Sequence, residues 1–369
     1  MRNIAWTLSS SSWVVIMFVS LVLSTSPPHL VQCVRAGDSL RMLNAVLEST
    51  TSAKELYAVA QPAVAGMKAG AAPVAAVILV DQGGLGDYKT VGEAIAAIPI
   101  HNKDPVIIYI HAGVYEEQIV VLKSQWHITL VGAGREVTKI TSRQSAGATG
   151  TTYTTSTVGI SASYFTAKNI TFENTSPVPL DGAVQQQAVA LRTTGDFNAF
   201  YGCGFLGGQD TLYDDRGLHY FKECFIQGSV DFIFGDGTSL YENCELNVIP
   251  TDGGSLTAQK RQFAYEGSGY SFVNCAVTGS GPPTVLLGRA WGAYSRVVFA
   301  YTYFADIIAP QGWFDWDVTA RDSTAFYGEY KCFGPGANAN GRVSWAHQLS
   351  DAEAAPFLST SFVDGQLWV

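Results

Sequence analysis

An all-β parallel β-helix is the fold this sequence predicts, and three observations predict it. From Val77 onward, short β-branched runs alternate with Gly or Asn turns. An aromatic residue shortly before a cysteine recurs in Tyr201-Gly-Cys203-Gly-Phe205, Phe221-Lys-Glu-Cys224-Phe225, Tyr241-Glu-Asn-Cys244-Glu and Phe272-Val-Asn-Cys275-Ala. The cysteines stand 21, 20 and 31 residues apart, which is one coil of a solenoid with a loop inserted in the third interval. The third observation is compositional: 37 Gly and only 14% charged residues beside 47% hydrophobic ones fit tight turns and stacked apolar ladders.

Residues 1–26 combine Arg2, a Ser-rich spacer and the apolar run Trp13–Leu23, too short to span a bilayer, and so read as a secretory leader cleaved between 24 and 36. An Ala-rich spacer follows over 37–76, with a helix expected around Ser39–Ala60. The catalytic domain is expected over 77–369. Its first strands are Val77–Val80, Val106–Ile110 and Ile128–Val131, and Thr90 three residues before Glu93 forms a capping box for a helix that Pro99 ends.

Phe172-Glu-Asn-Thr175 and Phe299-Ala-Tyr-Thr302 read as an earlier and a later copy of the repeated phrase. Stacked coils place Cys203, Cys224, Cys244 and Cys275 in one column, either as an inward ladder of thiols or as disulfides, with Cys33 and Cys332 as separate singletons. The sequons Asn169-Ile-Thr171 and Asn174-Thr-Ser176 are glycan acceptors in a secreted chain.

The formal charge of −9 and the lack of any Lys/Arg run exclude a nucleic-acid binder. There is no nucleophile-elbow serine motif and no phosphate-cradling glycine loop. The six histidines show no metal-ligand spacing, and His127 and His219 read as structural.

What remains is a carboxylate pair. Asp210 lies seven residues after Cys203 and Asp231 seven after Cys224, so the two occupy one position on consecutive coils, about one strand spacing apart. Like charges that close cannot both ionise, which leaves an acid beside a base or nucleophile. Arg289 is the candidate cation that keeps one aspartate ionised. Gln187, matched to Gln209 in this reading, joins it as a neutral amide donor for an oxyanion. These are the parts for carboxylate attack on an ester, but spacing does not say which aspartate does what. Gln209 and Asp210 can share a site only at a bend, since adjacent strand residues face opposite ways. Tyr153, Tyr213, Trp291, Trp313 and Trp316 are candidate sugar platforms.

The ordered motifs Gly113-Val-Tyr115-Glu116, Gln187-Ala-Val-Ala-Leu-Arg192, Gly208-Gln209-Asp210-Thr-Leu212, Asp231-Phe-Ile-Phe-Gly235 and Leu287-Gly-Arg289-Ala-Trp291 resemble those of plant pectin methylesterases. The resemblance covers 77–369. It implies a right-handed parallel β-helix that removes methyl groups from galacturonate esters of pectin (methyl-esterified homogalacturonan) without metal or organic cofactor. It also implies Asp231 as nucleophile, Asp210 as acid and then base, and Gln209 as transition-state stabiliser. Gln187 is implied as a second amide, Arg289 as the partner of Asp231, Trp291 as a sugar platform and Thr152 as a substrate contact. A monomer in the plant cell wall is expected, and a proteinaceous pectinesterase inhibitor is a partner the resemblance allows.

Three departures stand out. The usual Pro after the motif arginine is Ala290, which is expected to loosen that turn. The loop Thr175–Gln186 is long and should reshape the cleft rim. Finally, the 37–76 spacer resembles the subgroup without a long inhibitor-like pro-region.

Overall fold

The computed structural model describes residues 76–180, 183–251 and 253–369; the expected leader, its cleavage region, the spacer helix and Cys33 lie outside the described residues. The strands pair in parallel and form three sheets of eleven, eight and eight strands, in which each neighbour is the equivalent strand of the next coil. The first sheet opens with Ala76–Val80, Val106–Ile110 and Ile128–Gly132 and closes with His347–Gln348. The expected helix is Val91–Ala96, with both halves of the Thr90/Glu93 capping box formed. It turns Val91, Ala94 and Ile95 into the core, and the Gln125 side-chain amide donates to the Ile95 and Ile98 carbonyls at its end.

Each sheet contributes one inward row of apolar side chains. On the first sheet Phe200, Phe221, Tyr241, Phe272 and Phe299 stack face to face at 4.8, 4.5, 4.5 and 4.5 Å between ring centroids. Each such pair adds about 0.5–1.5 kcal/mol beyond the area it buries. On the second sheet the row is Phe172, Phe205, Ile226, Leu246, Val277 and Phe304. Phe172 therefore belongs to a different sheet from the repeated phrase. The phrase's earlier copy is Ala167–Ile170, in which Ala167 pairs with Phe200 and Ile170 stands where later coils have cysteine.

The cysteine column is a ladder of free thiols. Cys224, Cys244 and Cys275 each donate to the carbonyl of the stacked aromatic one coil back: Phe200, Phe221 and Tyr241. Thr302 continues the column by donating to the Phe272 carbonyl, and Cys332 follows by donating to that of Phe299. Cys332 is thus the next rung rather than a singleton, since a threonine hydroxyl fills the intervening place with the same bond. The residue before each rung turns the corner in the left-handed region, with φ of 55° at Glu223 and Asn243 and 54° at Asn274.

Asn174 does not act as a glycan acceptor in this fold. It is 2% exposed and its amide nitrogen donates to the carbonyls of Gln144, Thr155 and Val189.

The C-terminal segment returns along the outer face of the first sheet. Leu349, Ala354, Phe357 and Val363 pack on Ala199, Tyr220, Leu240, Val273 and Val298. The Ser271 hydroxyl donates to the Phe357 carbonyl at 2.7 Å, and Trp368 lies 5.8 Å from Phe197.

Candidate active site

The third sheet carries the site. Its strands Leu191–Thr193, Leu212–Asp214 and Ile233–Gly235 stack with Leu191 beside Leu212 and Leu212 beside Ile233. Asp210 and Asp231 each precede their strand by two residues and share one position on consecutive coils, as the spacing predicts. The match of Gln187 to Gln209 holds: the Ala188 N–H donates to the Gln209 carbonyl, which sets half-buried Gln187 beside Gln209 and Ala188 beside Asp210. A bulge at Ala190–Leu191, whose N–H groups both donate to the Thr211 carbonyl, takes up the extra residue before Leu191 pairs with Leu212.

The bend that the sequence demanded is present. Asp210 has φ of 61° and Asp231 of 48°, so each turns its side chain out of the alternation and Gln209 reaches the same space as Asp210. The turn ahead of Asp231 is tight enough to require glycine at 228, where a Cβ would lie 2.2 Å from that of Phe232. The long loop meets this point as expected: a Cβ on Gly208 would come 3.0 Å from Val178 Cα, which places the loop against the residue before Gln209.

Both carboxyls are buried, Asp210 at 8% and Asp231 at 6% exposed. Arg289 forks onto Asp231: its Nε donates to Oδ1 at 2.7 Å and its Nη2 to Oδ2. Burial would lower the arginine's pKa, but the hydrogen bond and charge of Asp231, with Asp210 behind it, raise it. Burial pushes Asp231 up, and Arg289 opposes that through a hydrogen bond and its charge. Asp210 is pushed well above the ordinary carboxylate range, first by burial and then by the negative charge of Asp231, against weaker pulls from Arg289 and the Gln209 side chain. Two carboxyls this close cannot both ionise cheaply, and the guanidinium fork favours the charge on Asp231 and the proton on Asp210.

Aromatic rings line the space beside the carboxyls. Tyr213 and Phe234, each three residues after an aspartate, stack at 4.3 Å. Trp291 lies 6.2 Å beyond Phe234 with Lys260 over its ring, and Trp316 covers the Arg289 guanidinium at 4.1 Å. Tyr153, in the turn Thr152–Thr155, meets Tyr213 edge-on, and half-buried Thr152 opens that turn. Trp313 is no platform: it is 1% exposed and stacked on Tyr327 inside the solenoid.

Ala290 does not loosen its turn, for its N–H donates to the Phe314 carbonyl, a bond that proline could not make, and its own carbonyl accepts from Arg321. Phe234 and Lys260 were not singled out from sequence, although the shared offset from each aspartate would have found Phe234. His219 is structural, held between Asp214 and the Gly195 carbonyl, with Tyr241 on the other Asp214 oxygen.

A neutral acid, a paired carboxylate and an amide donor beside an aromatic wall can attack and protonate an ester of a sugar-like substrate. Comparison with known proteins points the same way. The family model for pectinesterase matches residues 77–366. The chain is 44% identical over 300 residues to probable pectinesterase 8 of Arabidopsis thaliana, covering 79% of this chain and 76% of that one. Among solved structures, a pectin methylesterase from carrot superposes with a TM-score of 0.74 at 37% identity, covering 79% of this chain and 94% of that one. A pectin methylesterase in complex with hexasaccharide VII superposes at 0.66 with 28% identity, covering 79% and 98%.

Proposed function

The chain belongs to the pectinesterase family, and on that premise we propose how its two buried carboxyls divide the removal of methyl groups from the galacturonate esters of pectin. The Asp231 carboxylate attacks the ester carbonyl carbon. Negative charge gathers on the carbonyl oxygen, where the neutral amides of Gln209 and Gln187 donate to it without quenching the nucleophile. The carbon–methoxy bond breaks as Asp210 passes its proton to the departing oxygen, and methanol leaves. Asp231 is then joined to the sugar acid as a mixed anhydride. Asp210, now a carboxylate, takes a proton from water. The hydroxide equivalent attacks the anhydride, releasing free galacturonate and restoring both aspartates to their starting states.

The observation that carries this division is the Arg289 fork. A cation hydrogen-bonded to Asp231 favours the anion there, while Asp210 in the same dry site keeps its proton. Trp291 supplies a face for a sugar ring and Thr152 a polar contact at the cleft wall. The substrate is methyl-esterified homogalacturonan in the plant cell wall, met by a secreted monomer whose catalytic domain spans 77–369 behind a leader and a spacer. A proteinaceous pectinesterase inhibitor would act by covering this cleft.

The test is incubation of methylated pectin with the protein. Methanol release at constant chain length supports the reading. Shortened chains or unsaturated ends would instead mark a glycosidase or a lyase, both of which can place carboxylates on such a fold.

A further inference from the structure

The turn that carries Trp316 breaks a backbone rule. Phe314 pairs with Arg289 on the neighbouring coil, and the chain turns at once: the Val318 N–H donates to the Asp315 carbonyl, with φ of 64° at Trp316 and 54° at Asp317 between them. Turns with two left-handed central residues are ordinarily built from Gly, Asn or Asp. Asp317 suits that place, and its N–H donates to the Asp315 side chain at 3.1 Å. A tryptophan does not, since a bulky side chain at positive φ is costly where glycine meets no penalty. The turn is nonetheless fixed. Arg321 Nη1 donates to the Ala290 carbonyl at 2.6 Å and to the Asp315 carbonyl at 3.4 Å, tying the turn to the residue that follows Arg289.

What the strained conformation places is the indole. The centre of its ring lies 4.1 Å from the Arg289 guanidinium carbon, while the guanidinium edge formed by Nε and Nη2 forks onto Asp231. The Arg289 side chain is 27% exposed, so the ring keeps water from a face that would otherwise be wet. An aromatic face attracts a cation, more strongly where both are desolvated, and a guanidinium held flat keeps both donors aimed at the carboxylate. The ionisable groups around this pair are Asp210 on the preceding coil, the buried phenol of Tyr327, and Asp315 and Asp317 in the turn, while Lys260 lies over the Trp291 ring. Among the described residues Arg289 is the group that favours the charge on Asp231. We propose that Trp316 is a positioning residue, whose indole holds the Arg289 guanidinium flat and dry so that the fork keeps Asp231 ready as the nucleophile. This rests on the esterase reading above. It gives the tryptophan a task inside the catalytic machinery in place of sugar stacking, and it accounts for a bulky residue where the backbone favours glycine.

The experiment follows methanol release from methylated pectin against pH for wild type, Trp316→Leu and Trp316→Phe, with a thermal melt of each. Leucine keeps an apolar cover but removes the aromatic face. The acidic limb of kcat/KM should then move up by about one pH unit, a rate about ten-fold lower at a fixed pH on that limb, because the charge on Asp231 loses support. Phenylalanine keeps a face and should restore most of the loss. A raised KM with the acidic limb unmoved would overturn the proposal and make Trp316 a sugar platform. Equal shifts in the two variants would overturn it as well, leaving steric cover alone. Should Trp316→Leu not fold, Arg321→Met unties the turn without touching the indole and should move the limb the same way; an unmoved limb there counts against the proposal. Carbon-13 NMR of carboxyl-labelled aspartates, with Asp231→Asn to assign the signal, should show the same displacement without substrate. A wild type that releases no methanol would strike the esterase reading itself, and this titration would still decide the role of Trp316.

Discussion

At the corner before the thiol column, Gly202, Glu223, Asn243, Asn274, Tyr301 and Lys331 take φ between 50° and 58°, and at the corner before the site strands Asp210 and Asp231 take 61° and 48°. Both corners use the left-handed region to swing the chain from one sheet to the next. At the first, the residue's identity hardly matters: Glu223, Asn243, Asn274, Tyr301 and Lys331 all point to solvent, and the N–H groups of the first four bond carbonyls on the next coil. At the second, the left-handed residue is aspartate both times, and its side chain is buried. The same backbone device is scaffolding where the side chain leaves the protein and chemistry where it enters a dry cleft. Ala188 and Leu256, which the Ala188 N–H to Gln209 carbonyl and Asp231 N–H to Ser255 carbonyl bonds set beside the two aspartates, do not take positive φ, so this bend is confined to the two coils that carry carboxyls.

Substitutions at the two corners should separate them. Asp231→Ala should reduce methanol release about 10³–10⁴-fold while leaving a cooperative melt, as loss of a nucleophile does. A rate near wild type would remove Asp231 from the mechanism. Arg289→Gln leaves the Asp231 charge buried and unpaired and should cost about 3–5 kcal/mol in denaturant unfolding. It should also shift the acidic limb of the rate profile upward, because Asp231 then ionises less readily.

Asp210→Asn should slow turnover about 10²–10⁴-fold yet melt higher than wild type at pH 7. The sign follows from the raised folded-state pKa of Asp210. Its contribution to stability is fully present below the unfolded value near 3.9 and is lost as pH rises toward the folded one. The advantage of Asp210→Asn should accordingly vanish below about pH 4, and an advantage independent of pH would contradict the assignment. In the wild type, alkaline loss of activity follows from deprotonation of Asp210 and acid loss from protonation of Asp231. The smallest effect belongs to the first corner: Glu223→Gly should gain about 0.5–1 kcal/mol with unchanged kcat, since glycine meets a φ of 55° without steric cost.

The solenoid was legible because one rung's chemistry repeats at coil spacing, and the aspartate pair because it repeats with that rung. The misreadings share a cause. Phe172-Glu-Asn looks like the repeated phrase but lies on another sheet, since aromatic-x-Asn suits either corner. Thr302 hid the continuity to Cys332 because a hydroxyl makes the thiol's hydrogen bond. Trp316 stood among the candidate aromatics, but nothing in its neighbours along the chain shows that its ring lies on Arg289. That depends on the pairing of Phe314 with Arg289 across coils.

The tail that returns along the first sheet alters how the molecule can come apart. In a bare solenoid each coil holds only its two neighbours, so the last coil can fray, then the next, in many small steps. Here the segment that bonds Ser271 and packs on Leu240 and Tyr220 reaches back to Phe197, tying coils that do not touch one another. Peeling the final coil away means releasing the tail from all of them at once. The tail works as a splint, converting a zipper into a single latch, and the coils bearing Asp210 and Asp231 lie under the latched span, sheltered from loosening at the C-terminal end.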